Sequence, residues 1–338
     1  MTYLLLRLSS LGNVAMTVPV VASLSRRYPN DRFVVVAKKP LAAMFYGMDN
    51  VVYHEANFRT GGLGSVLALF HELRAYHVDA VIDLQDVLRT RLLRLFFRLH
   101  GVKTYTVHYG RAQKRALTLT GHKGVDPLPT EFSRYQDVLR EAGLQTDNDF
   151  ACLPINKEAR QQVKERFGEP QAEEQWIGIA PFAKSKSNML PYHLTKELIQ
   201  YYSRQAGTRV YLFGAGVIEC EMLRQWASIF PNVVSVAGLL PLEQELELMR
   251  NLRVMICMDS ANQHLSSLVG LRAVSIWCGT HHKMGFYGWK QNPADRLEID
   301  DLACRPCSVH GTNKCKNHHY ACRQIPAQRI IDKVNEKK

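Results

Sequence analysis

The chain is 338 residues long, 46% apolar and 22% charged, with 43 lysines and arginines against 31 aspartates and glutamates. That length and apolar content suffice for about two domains with separate cores. No run of 18 apolar residues occurs, which excludes a membrane-spanning helix, and no aromatic-interleaved basic motif accompanies the net charge of +12, which argues against a nucleic-acid partner.

The opening MTYLLLRLSSLGNVAMTVPVVASL has the apolar content of a secretory leader. Arg7 and the Ser-Ser-Leu-Gly-Asn break divide it, so it reads better as a buried strand over 3–8, a turn and a helix over 14–27. Pro19 lies inside that helix and is expected to kink or shorten its early turns. Strands at 32–37 and 80–84 alternate with helices around 63–76 and 88–99, and a helix at 133–142 closes this half. Between Asp86 and Lys123 the chain holds nine Lys/Arg (89, 91, 94, 98, 103, 111, 114, 115 and 123) against Asp86 alone. Arg91, Arg94 and Arg98 share one face of the 88–99 helix, opposite Leu88, Leu92, Leu95, Phe96 and Leu99. That face is either a solvated surface or an attraction for an anionic membrane or polyanionic acceptor.

The second half repeats the pattern: strands at 176–180, 209–213 and 233–235 alternate with helices at 194–206, 218–230 and 242–252. Its densest segment is RVMICMDSANQHLSSLVGLRAVSIWCGTHHKMGFYG, residues 253–288. Strands at 254–257 and 273–277 flank a short helix at 263–269. Ligands of an open parallel sheet sit beyond the carboxyl ends of its strands, so Asp259, Ser260 and His264 should face one site with Gly279, Thr280 and His281. Ser260 or Asn262 can cap the helix, whose free amides would then point at an anion. Periodicity thus predicts an α/β chain of two doubly wound domains, with a last helix at 327–338.

The run D-S-x-x-x-H-L at 259–265, followed by a strand and Gly279-Thr280, resembles the nucleotide-sugar motif of glycosyltransferase family 9, the ADP-heptose:lipopolysaccharide heptosyltransferases, usually D-[ST]-G-P-x-H-L and then G-x-T. Ala261 and Asn262 stand where that pattern has glycine and proline. Residues 4–19 resemble the family's first strand, R-x-S-[SA]-x-G-D loop and helix; 177–191 its phosphate loop; 210–216 its glycine-containing strand end.

The resemblance implies GT-B architecture: two Rossmann-like domains facing a central cleft, an acceptor domain over 1–154, a nucleotide-sugar domain over 155–325, and a terminal helix over 326–338 packing back on the body. It implies an inverting, metal-independent enzyme moving a heptose or similar sugar from an ADP-sugar to an anionic lipopolysaccharide core. Such an enzyme would be cytoplasmic and peripheral to the inner face of the bacterial inner membrane. Another nucleotide sugar, or a silent nucleotide-sugar or polyanion binder, is the alternative.

Donor contacts are expected from Lys184, Lys186, Gly214, Gly216, Leu239, Asp259, Ser260, His264, Gly279 and Thr280. Leu239 and Leu240 read equally as core. The family's phosphate-loop lysine position holds Asn188 here. Ser9, Ser10 and Gly12 are expected at the acceptor, with Arg91, Arg94, Arg98, Arg111, Lys114 and Arg115 drawing its charge. The family's general base, the aspartate of S-x-G-D, is matched by Asn13, a neutral amide that cannot take the proton. Asn13 can serve as a helix N-cap or orient the acceptor. His281, His282 and Asp259 could replace the base only if the domains close on them.

Cys304, Cys307, Cys315 and Cys322, spaced C-x2-C-x7-C-x6-C, fit a structural zinc, packed reduced thiols or disulfides, the last disfavoured in a reducing compartment. Cys152, Cys220, Cys257 and Cys278 read as small buried hydrophobes. No cofactor is expected for catalysis.

Overall fold

In the computed structural model of the chain, residues 1–38, 41–58, 62–121, 124–312, 314–315 and 317–336 are described. Lys123 of the basic stretch and Lys337 and Lys338 of the expected last helix lie outside them. The chain divides into two compact units, one of residues 1–109 and 129–154, the other of 110–128 and 155–338. Residues 110–128, expected in the first domain, therefore belong to the second unit.

The first unit is a five-stranded sheet, every strand parallel to its neighbours, in the order β3-β2-β1-β4-β5. Its strands are β1 (Thr2–Leu6), β2 (Arg32–Ala37), β3 (Val51–Glu55), β4 (Ala80–Asp83) and β5 (Lys103–Thr106). β1 and β2 are almost wholly buried because helices cover both faces, which is why they read as continuous apolar runs. β3 and β5 were not legible. They are edge strands of partly exposed VVYHE and KTYT, too polar to carry an apolar signal.

The expected 14–27 helix is two helices, α1 (Leu11–Ala15) and α2 (Val18–Arg27). Pro19 sits in the first turn of α2, where its missing N–H would have had no intrahelical partner anyway, so it starts a helix and kinks none. The remaining helices of this unit are α3 (Gly62–Arg74), α4 (Leu88–Leu99) and α6 (Glu131–Glu141). Leu4, Val34, Val66, Phe70, Val81 and Phe97 lie in its core.

The second unit is a six-stranded parallel sheet in the order β11-β10-β9-β6-β7-β8. The strands are β6 (Gln175–Ala180), β7 (Thr208–Leu212), β8 (Val233–Ser235), β9 (Val254–Met258), β10 (Ala273–Trp277) and β11 (Arg296–Glu298). Its helices are α5 (Arg111–Thr120), α7 (Lys157–Phe167), α8 (Tyr192–Ser203), α9 (Val217–Ala227), α10 (Leu242–Arg250), α11 (Ala261–Leu268) and α12 (Ala327–Asn335). α12 buries Ile330, Ile331 and Val334 in the same core as Ile177, Val210 and Ile256. α5 and α7 escaped the periodicity because they are mostly polar; α7 buries only Ala159 and Val163. Among the described residues no helix is long and apolar enough to cross a membrane.

Strand order reverses between β1 and β4 in one sheet and between β6 and β9 in the other. These are the positions where loops diverge to opposite faces and leave a crevice at the carboxyl edge. They select the loops after β1 and β4, and those after β6 and β9, as the places to look for chemistry.

Candidate functional site

In the first unit, Arg7 leaves the end of β1 buried and donates to the Leu84 carbonyl at 2.7 Å and to Tyr109, tying the two strand ends at the reversal together. The Gln85 side chain accepts from the Leu8 amide (2.7 Å) and donates to Ser9 Oγ (3.2 Å). Ser10 is exposed and is the N-cap of α1, and Asn13, three residues on, donates from Nδ2 to Ser10 Oγ at 3.2 Å. Asn13 is therefore in the first turn and does not cap the helix, a correction to the sequence reading. Ser9, Ser10, Gly12 and Asn13 share one short loop and turn, while the arginines are dispersed.

The basic face of α4 is largely spoken for. Arg94 places Nε 3.0 Å from the fully buried Asp83 carboxylate and Nη2 3.0 Å from Asp86; Arg91 makes a two-pronged pair with Asp86 at 2.9 and 3.0 Å. Arg98 donates to Thr104 Oγ1. Burial raises the Asp83 carboxyl, opposed by the amides of Asp86 and Gln85, Thr90 and the Arg94 charge. Arg94 is thus a structural counter-ion rather than part of a solvated surface. Lys114, on α5 in the second unit, is also buried, with Nζ 4.3 Å from the Phe286 ring centre; Arg111 and Arg115 of α5 are exposed.

In the second unit, Asp259 follows β9 and Thr280 follows β10, and Thr280 Oγ1 donates to Asp259 Oδ2 at 2.6 Å. Burial pushes the Asp259 carboxyl up to about 6 against the opposing effects of that hydrogen bond and the Arg305 charge. Ser260 is the N-cap of α11 but makes no side-chain capping bond, and Asn262 lies inside the helix. Ser260 Oγ and His264 Nδ1 are both shielded from water and make no hydrogen bond. Burial lowers His264 to about 4, so the ring is neutral at physiological pH. Unmade hydrogen bonds of buried polar groups cost about 1–3 kcal/mol each. Two of them beside the uncapped amides of one helix start make a site suited to an anionic oxygen ligand.

The loop after β6 carries Lys184 and Lys186, both exposed. Asn188 is buried, accepts from Ser187 Oγ at 3.1 Å and donates toward the His310 carbonyl. At the position of the family lysine the chain thus has a packed amide. Gly279 donates its amide to the Ser187 carbonyl at 2.9 Å, and a Cβ there would lie 2.6 Å from Ser187 Oγ. It locks two loops together and has no N–H to spare for a ligand. Gly214 is close-packed on Leu223, and Gly216, with φ +86, is the N-cap of α9. Leu240 is core, whereas Leu239 is 51% exposed; the Gly238 Cα faces Cys220 on α9, so this loop lies against α9. Lys184, Lys186, Gly214, Gly216 and Leu239 all stand beyond the carboxyl ends of β6, β7 and β8.

The residue that organises this edge went unnoticed in the sequence because it lies among the cysteines. Arg305 is 0% exposed. It donates to the carbonyls of Cys278, Trp277 (3.0 Å), Thr280 (2.8 Å) and Ile299 (2.8 Å), and to Glu298 Oε2 (2.9 Å). Glu298 also holds Arg296 at 2.7 Å, His282 at 2.8 Å and His281 at 3.5 Å. Burial would raise the Glu298 carboxyl, but the His282 hydrogen bond and the Arg305, His281 and His282 charges hold it well below its ordinary range.

Among the described residues, His281, His282 and Glu298 are the group of three ligating side chains whose donor atoms all lie within 4.8 Å. Two guanidiniums already occupy the carboxylate, so a cation there would be repelled; the cluster is an ion-pair network that shapes the loop.

All eight cysteines carry free thiols. Cys257 and Cys278 are buried as expected; Cys152 is exposed and Cys220 partly so, a correction to the reading of all four as buried.

The profile of glycosyltransferase family 9 (heptosyltransferase) matches residues 66–317. A search of curated proteins finds no match. Among solved structures, E. coli ADP-heptose LPS heptosyltransferase II is similar at 18% identity and TM-score 0.73, over 99% of this chain and 98% of that one. The glycosyltransferase of family 9 from Veillonella parvula matches at 17% identity and TM-score 0.75 (98% and 96% covered), and E. coli heptosyltransferase WaaC with ADP at 16% and 0.66 (98% of each). The chain belongs to glycosyltransferase family 9, is a glycosyltransferase, and has the GT-B fold.

Proposed function

We propose that this family 9 glycosyltransferase moves a heptose or similar sugar from an ADP-sugar to a lipopolysaccharide-type core acceptor, with inversion and without a catalytic metal. The observation that carries the reading is the pair of unsatisfied buried polar atoms, Ser260 Oγ and His264 Nδ1, at the start of α11 next to the β6/β9 strand reversal. In the transfer, the acceptor hydroxyl attacks the anomeric carbon and gives its proton to a basic group carried by the acceptor itself, the bond from that carbon to the diphosphate oxygen breaks, and ADP leaves carrying the electron pair. Charge builds on the diphosphate, which the α11 amides, Ser260 and His264 would hold, with Lys184 and Lys186 adding positive charge from the neighbouring loop. The exposed Leu239, with Val217 and Ile218 at the start of α9, offers the apolar surface for a base. The solved relative bound to ADP supports a nucleotide of this class.

Asn13 cannot accept the acceptor proton. Its amide is engaged with Ser10 Oγ, and we assign it the orientation of the acceptor loop rather than proton transfer. The exposed arginines of α4, Arg89, Arg91 and Arg98, suit an anionic acceptor at the inner face of the bacterial membrane.

The test is a thermal-shift panel of ADP-, UDP- and GDP-sugars with wild type and His264→Ala. At about 100 times the dissociation constant a true ligand adds about 2.7 kcal/mol of stability. The ADP series should give the largest shift, and His264→Ala should lose most of it while melting cooperatively. A larger shift with UDP- or GDP-sugars would assign the donor elsewhere, and an unchanged ADP shift in the variant would remove His264 from the site.

A further inference from the structure

We propose that Gln85 is a positioning residue of the acceptor side: it locks the Ser9 hydroxyl as a hydrogen-bond donor, and the group that Ser9 meets is an oxyanion of the acceptor substrate, a carboxylate or phosphate. This deepens, and rests on, the reading of the loops after β1 and β4 as the acceptor side. Gln85 stands directly beyond β4 in a tightly held loop. The fully buried Asp83 takes the Gln85 and Asp86 amides on one carboxylate oxygen, both at 2.9 Å, and has Arg94 Nε 3.0 Å from the other. The Arg7 guanidinium ties the same loop to the end of β1 through the Leu84 carbonyl at 2.7 Å.

A side-chain amide can turn its oxygen or its nitrogen to a neighbour, and a serine hydroxyl can donate or accept, so such a pair by itself leaves the direction of the hydrogen bond open. Here a backbone group settles it. The Leu8 N–H can only donate, and it lies 2.7 Å from the Gln85 side-chain oxygen. The nitrogen of that amide is then the end that faces Ser9 Oγ, 3.2 Å away, and it too can only donate. Ser9 accepts from it and keeps its own hydrogen. Among the described residues no group takes that hydrogen, and Ser9 is partly exposed. Next to it Asn13 Nδ2 donates to Ser10 Oγ in the same sense.

A hydroxyl whose hydrogen faces outward selects a partner that accepts. The reacting hydroxyl of the acceptor substrate is the wrong partner, because a hydrogen bond donated to its oxygen draws on the lone pair that attacks the anomeric carbon. A carboxylate or phosphate oxygen is the right one: it brings no hydrogen against that of Ser9, and a hydrogen bond to a charged oxygen is about twice as strong as one between neutral groups. Such a group is also the base that a chain with a neutral amide at Asn13 requires of its acceptor.

The test measures binding of a deacylated lipopolysaccharide core oligosaccharide to the full chain by calorimetry, with ADP present. Gln85→Glu keeps an oxygen for the Leu8 amide but sets a second one against Ser9, so the serine hydrogen turns inward. Gln85→Glu and Ser9→Ala are each expected to weaken binding about tenfold or more, the size of one hydrogen bond to a charged group, and the double variant no more than either alone. ADP affinity and cooperative melting should be unchanged in all three. Losses that add would show that the new carboxylate merely repels an anion, and the role of Gln85 would fall. Oligosaccharide stripped of phosphate and oligosaccharide with its carboxyls reduced identify the partner: the form that wild type and Ser9→Ala bind equally has lost it. A difference that persists on both forms would overturn the oxyanion.

A second readout needs no acceptor. In Ser9→Cys the Gln85 nitrogen favours the thiolate. Alkylation at position 9, followed by peptide mass spectrometry, should have its pH midpoint about one unit below that of the same variant carrying Gln85→Leu, which removes the donor and adds no charge. Equal midpoints would overturn the fixed polarity of Ser9. A wild type that binds no core oligosaccharide, beside a shifted midpoint, would instead overturn the reading of this side as the acceptor site and with it the oxyanion partner.

Discussion

At the scale of single residues, the two positions that matter most are His264 and Asn13. The folded-state value of His264, about 4, lies below its unfolded value, so its neutral form contributes stability that is present above about pH 6.5 and is lost as pH falls through about 4. Asp259, raised to about 6, has the opposite sign: its contribution is present below its unfolded value and lost as pH rises through 6. His264→Gln should therefore flatten the acid side of the stability curve between pH 6.5 and 4, removing a slope of up to about 1.4 kcal/mol per pH unit; urea midpoints measured across that range give the answer. A bound diphosphate favours the charged ring, so ADP affinity of wild type should rise from pH 7.5 to 6 more than that of His264→Gln, as calorimetry would show. For Asn13, an amide that only orients a loop contributes one hydrogen bond. Asn13→Ala should cost about 0.5–1.5 kcal/mol of transition-state stabilisation. Asn13→Asp could raise turnover, since a well-placed general base contributes about 10²–10⁴-fold. Wild type without turnover on any sugar-acceptor pair, beside an active Asn13→Asp, would mark the natural chain as a binder.

At the scale of elements, the arginines of α4 divide by their partners. Arg94 neutralises a carboxylate buried at the end of β4, whereas Arg91 pairs with Asp86 at the surface. Arg94→Leu should destabilise the chain by about 2–3 kcal/mol, through loss of its ion pair with the buried Asp83 and of its hydrogen bond to Asp86, and Arg91→Ala by less than about 1 kcal/mol. A test of membrane attraction must leave Arg94 intact. Arg89, Arg91 and Arg98 changed together to Glu should abolish co-sedimentation with vesicles rich in anionic lipid while ADP binding persists; equal binding would show a merely solvated face. The strand-end loops of the second unit depend on Arg305 in the same way. Arg305→Leu strands the buried Glu298 carboxylate and four carbonyls, and a loss of about 3–5 kcal/mol is expected from denaturation curves, part of it recovered when Glu298→Gln is added.

At the scale of the whole molecule, each unit has its own parallel sheet and its own core, and the proposed nucleotide contacts belong to the second. ADP alone should slow amide exchange in the strand-end loops at 181–191, 213–216, 237–240, 259–264 and 279–282. Exchange in β1, β2 and β4 should not change. Protection centred on the loops of the first sheet would place the nucleotide in the wrong unit. The division also explains why residues 110–128 misled: the mostly polar α5 follows the first sheet in sequence, yet Lys114 packs on Phe286 and Leu128 bonds Lys283.

Buried parallel strands and the loops that follow them are legible in a sequence because burial on both faces demands runs such as LLLR, FVVVA and VMICM, and the polar groups after them stand out by contrast. That determined the two doubly wound halves, the family and the Asp259–His264 segment. Edge strands and polar helices carry no such pattern, so β3, β5, β11, α5 and α7 needed the fold. So did every role set by a partner distant in sequence: Arg94 against Asp83, Asn188 against His310, and Arg305 gathering three segments through its guanidinium. Local composition records whether a residue tends to be buried, whereas which charge it neutralises or which carbonyl it reaches is decided only when remote strands are brought side by side.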